Sequence, residues 1–135
     1  MKSITNCLFL FAAAALSLGT VAYGQTTLVA DVPFAFQTAA GPAAAGHYTV
    51  QLQNNGGQNI VHISNRETGR NVLSITYGVD DKANKVIAPH LVFRCAEAGC
   101  QLAEVWTSEG GYGIPVRHVR APEYLASIRL AASRN

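Results

Sequence analysis

The chain has 135 residues, with 10 Lys and Arg against 8 Asp and Glu and a formal charge of +2. That length allows one domain, and a charged fraction of 13% is too low for a chain kept disordered by its charge. Clustered Lys and Arg, which a phosphate backbone requires, are missing, so nucleic acid is excluded as a partner.

The N-terminus reads as an export signal. Lys2 gives a positive start, and the apolar run Cys7 to Leu16 follows. Gly19 then loosens the helix, and Ala22 and Gly24 place small residues three and one before Gln25. This is the order of a secretory signal with its cleavage site. A run of 10 apolar residues is too short to span a bilayer, which takes roughly 20. Cys7, preceded by Thr5 and Asn6, lacks the setting of a lipid-bearing cysteine. The expectation is therefore a signal peptide at 1–24 and a single β-rich domain at 25–135, secreted or periplasmic. That mature chain has no transmembrane segment, and its 9 basic and 8 acidic residues leave +1. A surface so poor in charge must rely on Asn, Gln, Ser and Thr, which suit neutral ligands better than charged ones.

Along the mature chain, turn residues recur at short intervals: Pro33, Pro42, Asn54 to Gly57, Glu67 to Gly69, Asp80 to Asn84, and Gly110-Gly111. Between them lie β-prone runs, from Thr27 to Gln37, His47 to Gln53, Gln58 to Ser64, Asn71 to Gly78, Val86 to Arg94, and Gln101 to Thr107. This spacing predicts a mainly β fold, an antiparallel meander forming a small β-sandwich or barrel. Alternation in two of the runs assigns Tyr48, Val50, Leu52, Leu73, Ile75 and Tyr77 to the core. Pro33 cannot donate to a ladder, so its strand is expected at an edge or with a bulge.

Cys95 and Cys100 are the two cysteines left after cleavage, an even number in an exported chain. They flank a four-residue loop with Gly99, between two β-prone runs, and facing positions of such a hairpin are within disulfide reach. A redox pair more often has two intervening residues near a helix start, and a zinc half-site needs two further ligands. The tail from Pro122 to Ala132 fits both a helical and a strand period. Its leading Pro, early Glu123, alanines and late Arg134 favour a short C-terminal helix.

Asp31-Val-Pro-Phe-Ala-Phe36, followed by Pro42 to Gly46 and His47-Tyr-Thr-Val50, resembles a group of small exported β-rich proteins common in acidobacteria. Those proteins have a V-P-F-x-F opening, then P-A-G-x-Y-x-V. They also carry L-V-F before a hairpin and V-W-T after it, matched here by Leu91-Val92-Phe93 and Val105-Trp106-Thr107. The stretch from Pro42 to Gly46 has two residues more than P-A-G, and the cysteine pair is not a general feature of the group. The resemblance implies the architecture and no site residue.

No catalytic, cofactor-binding or metal-ligating constellation emerges. His47, His62, His90 and His118 are too far apart in sequence for a local metal motif, and His47, opposite Tyr48, is expected in solvent. Asp80-Asp81 with Lys82 reads as a turn, and Ser64, Ser74 and Ser108 lack a nucleophile elbow. Gly110-Gly-Tyr-Gly113 resembles a phosphate loop in composition only, and Arg117-His-Val-Arg120 is a small basic edge. The leading functional expectation is a non-catalytic exported module binding a neutral envelope component, glycan or protein, with Tyr112 and Trp106 as surface aromatics. A strand Trp is, however, more often packed in a core. The alternatives are a small extracytoplasmic hydrolase, which needs a polar cleft, and a small-ligand carrier, which needs a lined barrel cavity.

Overall fold

The structure, a computed structural model, describes residues 27–79, 88–117 and 122–133. The expected export segment, the Asp80-Asp81-Lys82 turn, His118 and Arg120 lie outside the described residues. The first strand, Thr27–Val32 (β1), buries Leu28, Ala30 and Val32 on one face. Pro33 has no N–H to donate and ends it. The chain then crosses to a second sheet as Phe36–Thr38 (β2) and Gly41–Ala43 (β3). It returns to the first as Gly46–Asn55 (β4), which buries Tyr48 and Val50, and Gln58–Asn65 (β5), which buries Val61 and Ile63. Gly56 and Gly57, with φ of 62° and 89°, close this hairpin. Positive φ at both central residues gives the turn the twist of the strands it joins.

Asn71–Ile75 (β6) continues the first sheet, and after Thr76 the chain enters the second as Tyr77–Val79 (β7). His90–Ala96 (β8), Gly99–Thr107 (β9) and Gly110–Gly113 (β10) form a meander there. Tyr124–Arg129 (β11) pairs with β8, and after Leu130 the chain crosses back as Ala131–Ala132 (β12) beside β1. The first sheet has the order β12-β1-β4-β5-β6 and the second β11-β8-β9-β10-β7. β2 pairs in parallel with the start of β9, and β3 pairs with β2. The two sheets pack together as a small β-sandwich, with strands switching sheet at its corners.

Pro33 thus marks neither an edge nor a bulge. It divides the expected run from Thr27 to Gln37 into strands of different sheets, and β1 lies inside its sheet, between β12 and β4. A bulge lies instead between β8 and β9, where Val92 pairs with Glu104 but Phe93 with Leu102, leaving Ala103 as the extra residue. Its carbonyl accepts from Ile114 N at 2.7 Å.

The expected C-terminal helix is not formed: the tail is strand. Ala126, Ile128 and Leu130 alternate onto the inner face, where Leu130 is buried and the other two pack against the core. Without β11, the N–H and C=O groups along one side of β8 would lack strand partners, so pairing outweighs the weak helical preference of Pro122 and the alanines.

Of the expected core residues, Tyr48 and Val50 are buried and Leu52 packs against the cluster. Leu73, Ile75 and Tyr77 are instead exposed. Ser74 pairs with the fully buried Val61 and so takes the inner position, which sends Leu73 and Ile75 outward beside His62 and Ile60. The core is centred on edge-to-face aromatic pairs: Phe34–Phe93 at 5.0 Å, Phe36–Phe93 at 5.2 Å and Phe36–Tyr48 at 5.3 Å between ring centroids. The Tyr48 hydroxyl donates to Ala44 O, tying down the stretch from Pro42 to Gly46.

Cys95 and Cys100 face each other across the β8–β9 hairpin, with sulfurs 2.05 Å and Cα atoms 3.9 Å apart. The turn is tighter than expected: Glu97 and Ala98 alone make it, and Gly99 follows with φ of 126°. Replacing both cysteines by Ala should lower stability by about 2 kcal/mol, the chain-entropy value for so short a ring. A thermal melt should show that loss with an unchanged circular dichroism spectrum. An unchanged melting temperature would show that the bridge adds nothing to stability.

Candidate functional site

The outer face of the second sheet carries an aromatic surface that the alternation of its strands builds. In β9, Val105 points inward with 0% exposure, so Glu104 and Trp106 point out. Register then aligns two rows across the sheet. One runs Arg129, His90, Trp106, Gly111, Val79; the next runs Ser127, Val92, Glu104, Gly113, Tyr77. β10 presents only Gly111 and Gly113 on this side, because Tyr112 pairs with Val105 and faces inward. Glycine in a strand often marks a place where another group approaches closely.

Both seats are occupied by rings from the flanking strands. A Cβ on Gly111 would lie 2.7 Å from Cζ3 and Cη2 of Trp106, so the indole covers that glycine from β9. A Cβ on Gly113 would lie 2.3 Å from Cε2 and Cζ of Tyr77, which covers it from β7. Tyr77 remains 54% exposed, so one ring face rests on backbone and the other meets solvent. Trp106 Nε1 donates to Glu104 Oε2 at 2.7 Å, which fixes the indole's orientation. The His90 ring lies within 8° of parallel to the indole, with centroids 6.0 Å apart. His90 Nδ1 is 2.7 Å from Ala88 O. A carbonyl can only accept, so Nδ1 carries the proton and Nε2 is the acceptor of the neutral ring. Beside it an open depression of about 290 Å³ is lined by Ala88, Pro89, His90, Ser127 and Arg129. The face offers the open side of the Tyr77 ring, the indole held between Gly111 and the stacked His90 ring, the Glu104 carboxylate, the Arg94 and Arg129 guanidiniums and the Ser127 hydroxyl.

The other residues singled out in the sequence lie apart from this face. His47 is exposed, as expected, with Nδ1 against Asp31 Oδ1 and Nε2 3.8 Å from Glu67 Oε1. Both of its nitrogens thus face carboxylates on a solvated surface, where such pairs contribute little. His62 sits on the outer side of the first sheet, between Gln51 and Leu73. Ser74 is buried beside Val61, and Arg117 contributes only its backbone, which bonds to Gln101. Among the described residues no group of three or more His, Cys, Asp or Glu could hold a metal ion. An open depression of about 410 Å³ between Gln37, Gln101 and Arg117 has neither carboxylate nor imidazole in its lining.

Trp106, one of the two candidate surface aromatics, lies on the outer face. Tyr112, weighed with it, turns inward, and Tyr77, assigned to the core, belongs to the surface. The missed signal was Gly111-Tyr112-Gly113, in which glycines two apart leave one face of a strand bare. No protein-family model, curated protein or solved structure matches the chain.

Proposed function

We propose that the protein is an exported, non-catalytic β-module that binds a neutral envelope component, glycan or protein through the outer face of its second sheet. Residues 1–24 serve as its export signal in this reading, and 25–135 as the mature domain. The observation that carries it is the pair of rings from Tyr77 and Trp106 spread over Gly111 and Gly113. Exposed aromatic surface on a monomeric domain is a recurrent mark of a binding site, because it is costly to leave in water. The Cys95–Cys100 bridge suits an oxidising compartment. Membership in the group that the V-P-F-x-F and V-W-T segments resemble is part of the same proposal.

The full chain, expressed in cells that export it, should yield an extracytoplasmic species whose intact mass begins at Gln25. Immobilised, that species should retain a partner from envelope extract or culture medium, and Tyr77→Ala with Trp106→Ala should abolish the retention. Recovery of protein still bearing Met1, or equal retention by the double variant, would overturn the reading.

A further inference from the structure

The geometry points to a ligand class for this face: we propose that it binds a neutral polysaccharide, stacking a pyranose ring on Tyr77 beside the indole of Trp106. This inference rests on the binding reading above and sharpens it. The argument starts from the shape of the surface. Gly111 and Gly113 are alternate residues of one strand, so the two ring seats are about 7 Å apart along β10 at the usual strand rise. The rings cover backbone where side chains would otherwise stand, and the Tyr77 ring keeps its outer face in solvent.

A sugar ring is a flat amphipathic disc. One of its faces presents C–H groups with partial positive charge, and its rim presents hydroxyls. The C–H face complements the negative face of an aromatic ring. The hydroxyls need donors and acceptors beside the ring rather than beneath it. Here the Glu104 carboxylate, already accepting from the indole, lies beside Trp106. His90 and Ser127 lie on β8 and β11, on the far side of β9 from the glycines, with the open depression between them. Small-molecule sites have the same division, apolar surface for area and a few polar groups for orientation.

The charges match a neutral ligand. Glu104 faces outward against Arg129 and, a row further along β8, Arg94, so the face has no cluster of one sign, and the mature chain's net charge of +1 steers neither anion nor cation. A proline-rich peptide is the other ligand that aromatic surfaces take, but it docks in grooves between rings.

The chain has one tryptophan, Trp106, so intrinsic fluorescence reports directly on the site. The exported protein should be titrated with soluble β-glucan, xylan, galactomannan and α-glucan, with polygalacturonate as the anionic comparison and a proline-rich peptide as the competing class. At least one neutral polysaccharide should shift the Trp106 emission and retard the protein in affinity electrophoresis. Tyr77→Ala should weaken that binding at least about tenfold, and Trp106→Ala should do so in the gel assay. Gly113→Val, which forces the Tyr77 ring off its seat, should match Tyr77→Ala without removing an aromatic. Leu73→Gln, on the outer side of the other sheet, should bind as the unaltered protein does.

No binding to any neutral polysaccharide by correctly folded protein would overturn the glycan assignment, as would equal binding by the Tyr77 and Trp106 variants. If the peptide or a captured protein binds instead, and needs Tyr77 and Trp106, the glycan assignment fails while the binding face stands. If a partner is retained equally without both rings, the binding-face reading itself fails.

Discussion

Phe93→Ala is expected to destabilise the protein by about 3–5 kcal/mol, the cost of deleting a buried aromatic ring and leaving its cavity. Phe93 has 0% exposure and meets Phe34 and Phe36 edge-on, at 5.0 and 5.2 Å between centroids. Phe36 in turn meets Tyr48, so the chain of rings runs from β8 through β2 to β4 and links the two sheets. Each such pair adds roughly 0.5–1.5 kcal/mol beyond the area it buries. A domain of this size has roughly 5–15 kcal/mol of stability in all, so the variant should lose a large fraction of it. Urea titration should show a midpoint lowered with the slope retained, and Phe93→Leu should lose much less. A loss below about 1 kcal/mol for the alanine variant would show that the sheets close over the gap.

What could be read in the sequence depended on which physical effect decided each feature. The β4–β5 hairpin was legible because Gly56 and Gly57 and the alternation of Tyr48 and Val50 agree. The cysteine pair was legible because hairpin geometry alone brings positions 95 and 100 together. The tail was not: Pro122, Glu123 and the alanines express a local preference worth tenths of a kcal/mol, and the pairing of β11 with β8 overrides it. The outer aromatic face was half legible. Trp106 stood out as a candidate, but its outward side followed from Val105 facing in. Tyr77 misled for the same reason as Leu73 and Ile75: the three alternate together, but on the exposed side. Alternation says which residues share a face; it does not say which face is buried.

In β6 that choice of face is expected to rest on the turn before the strand, and Asn65→Ala should loosen it. Asn65 is 4% exposed, and its Oδ1 accepts from the backbone N–H of Glu67 at 2.9 Å and of Thr68 at 3.0 Å. Its own N–H donates to Arg70 O and its carbonyl accepts from Gly69 N, both at 2.9 Å, with Gly69 at φ 70°. An Asx-type turn of fixed length should set which residue of β6 stands opposite Val61. With the turn intact that residue is Ser74, and Leu73 and Ile75 face solvent. A slip of one residue would exchange the two sets and bury more apolar surface, so hydrophobicity alone opposes the observed register. Truncation to Ala leaves two backbone donors without their acceptor, at a cost of about 1–3 kcal/mol. Asn65→Asp, which keeps the acceptor oxygen, should recover part of that loss. Hydrogen exchange should quicken in 66–76 of the alanine variant far more than in β4, since the turn and β6 loosen before the core does. Uniform exchange across both strands, or unchanged stability, would show that the inner face of β5 sets the register without Asn65.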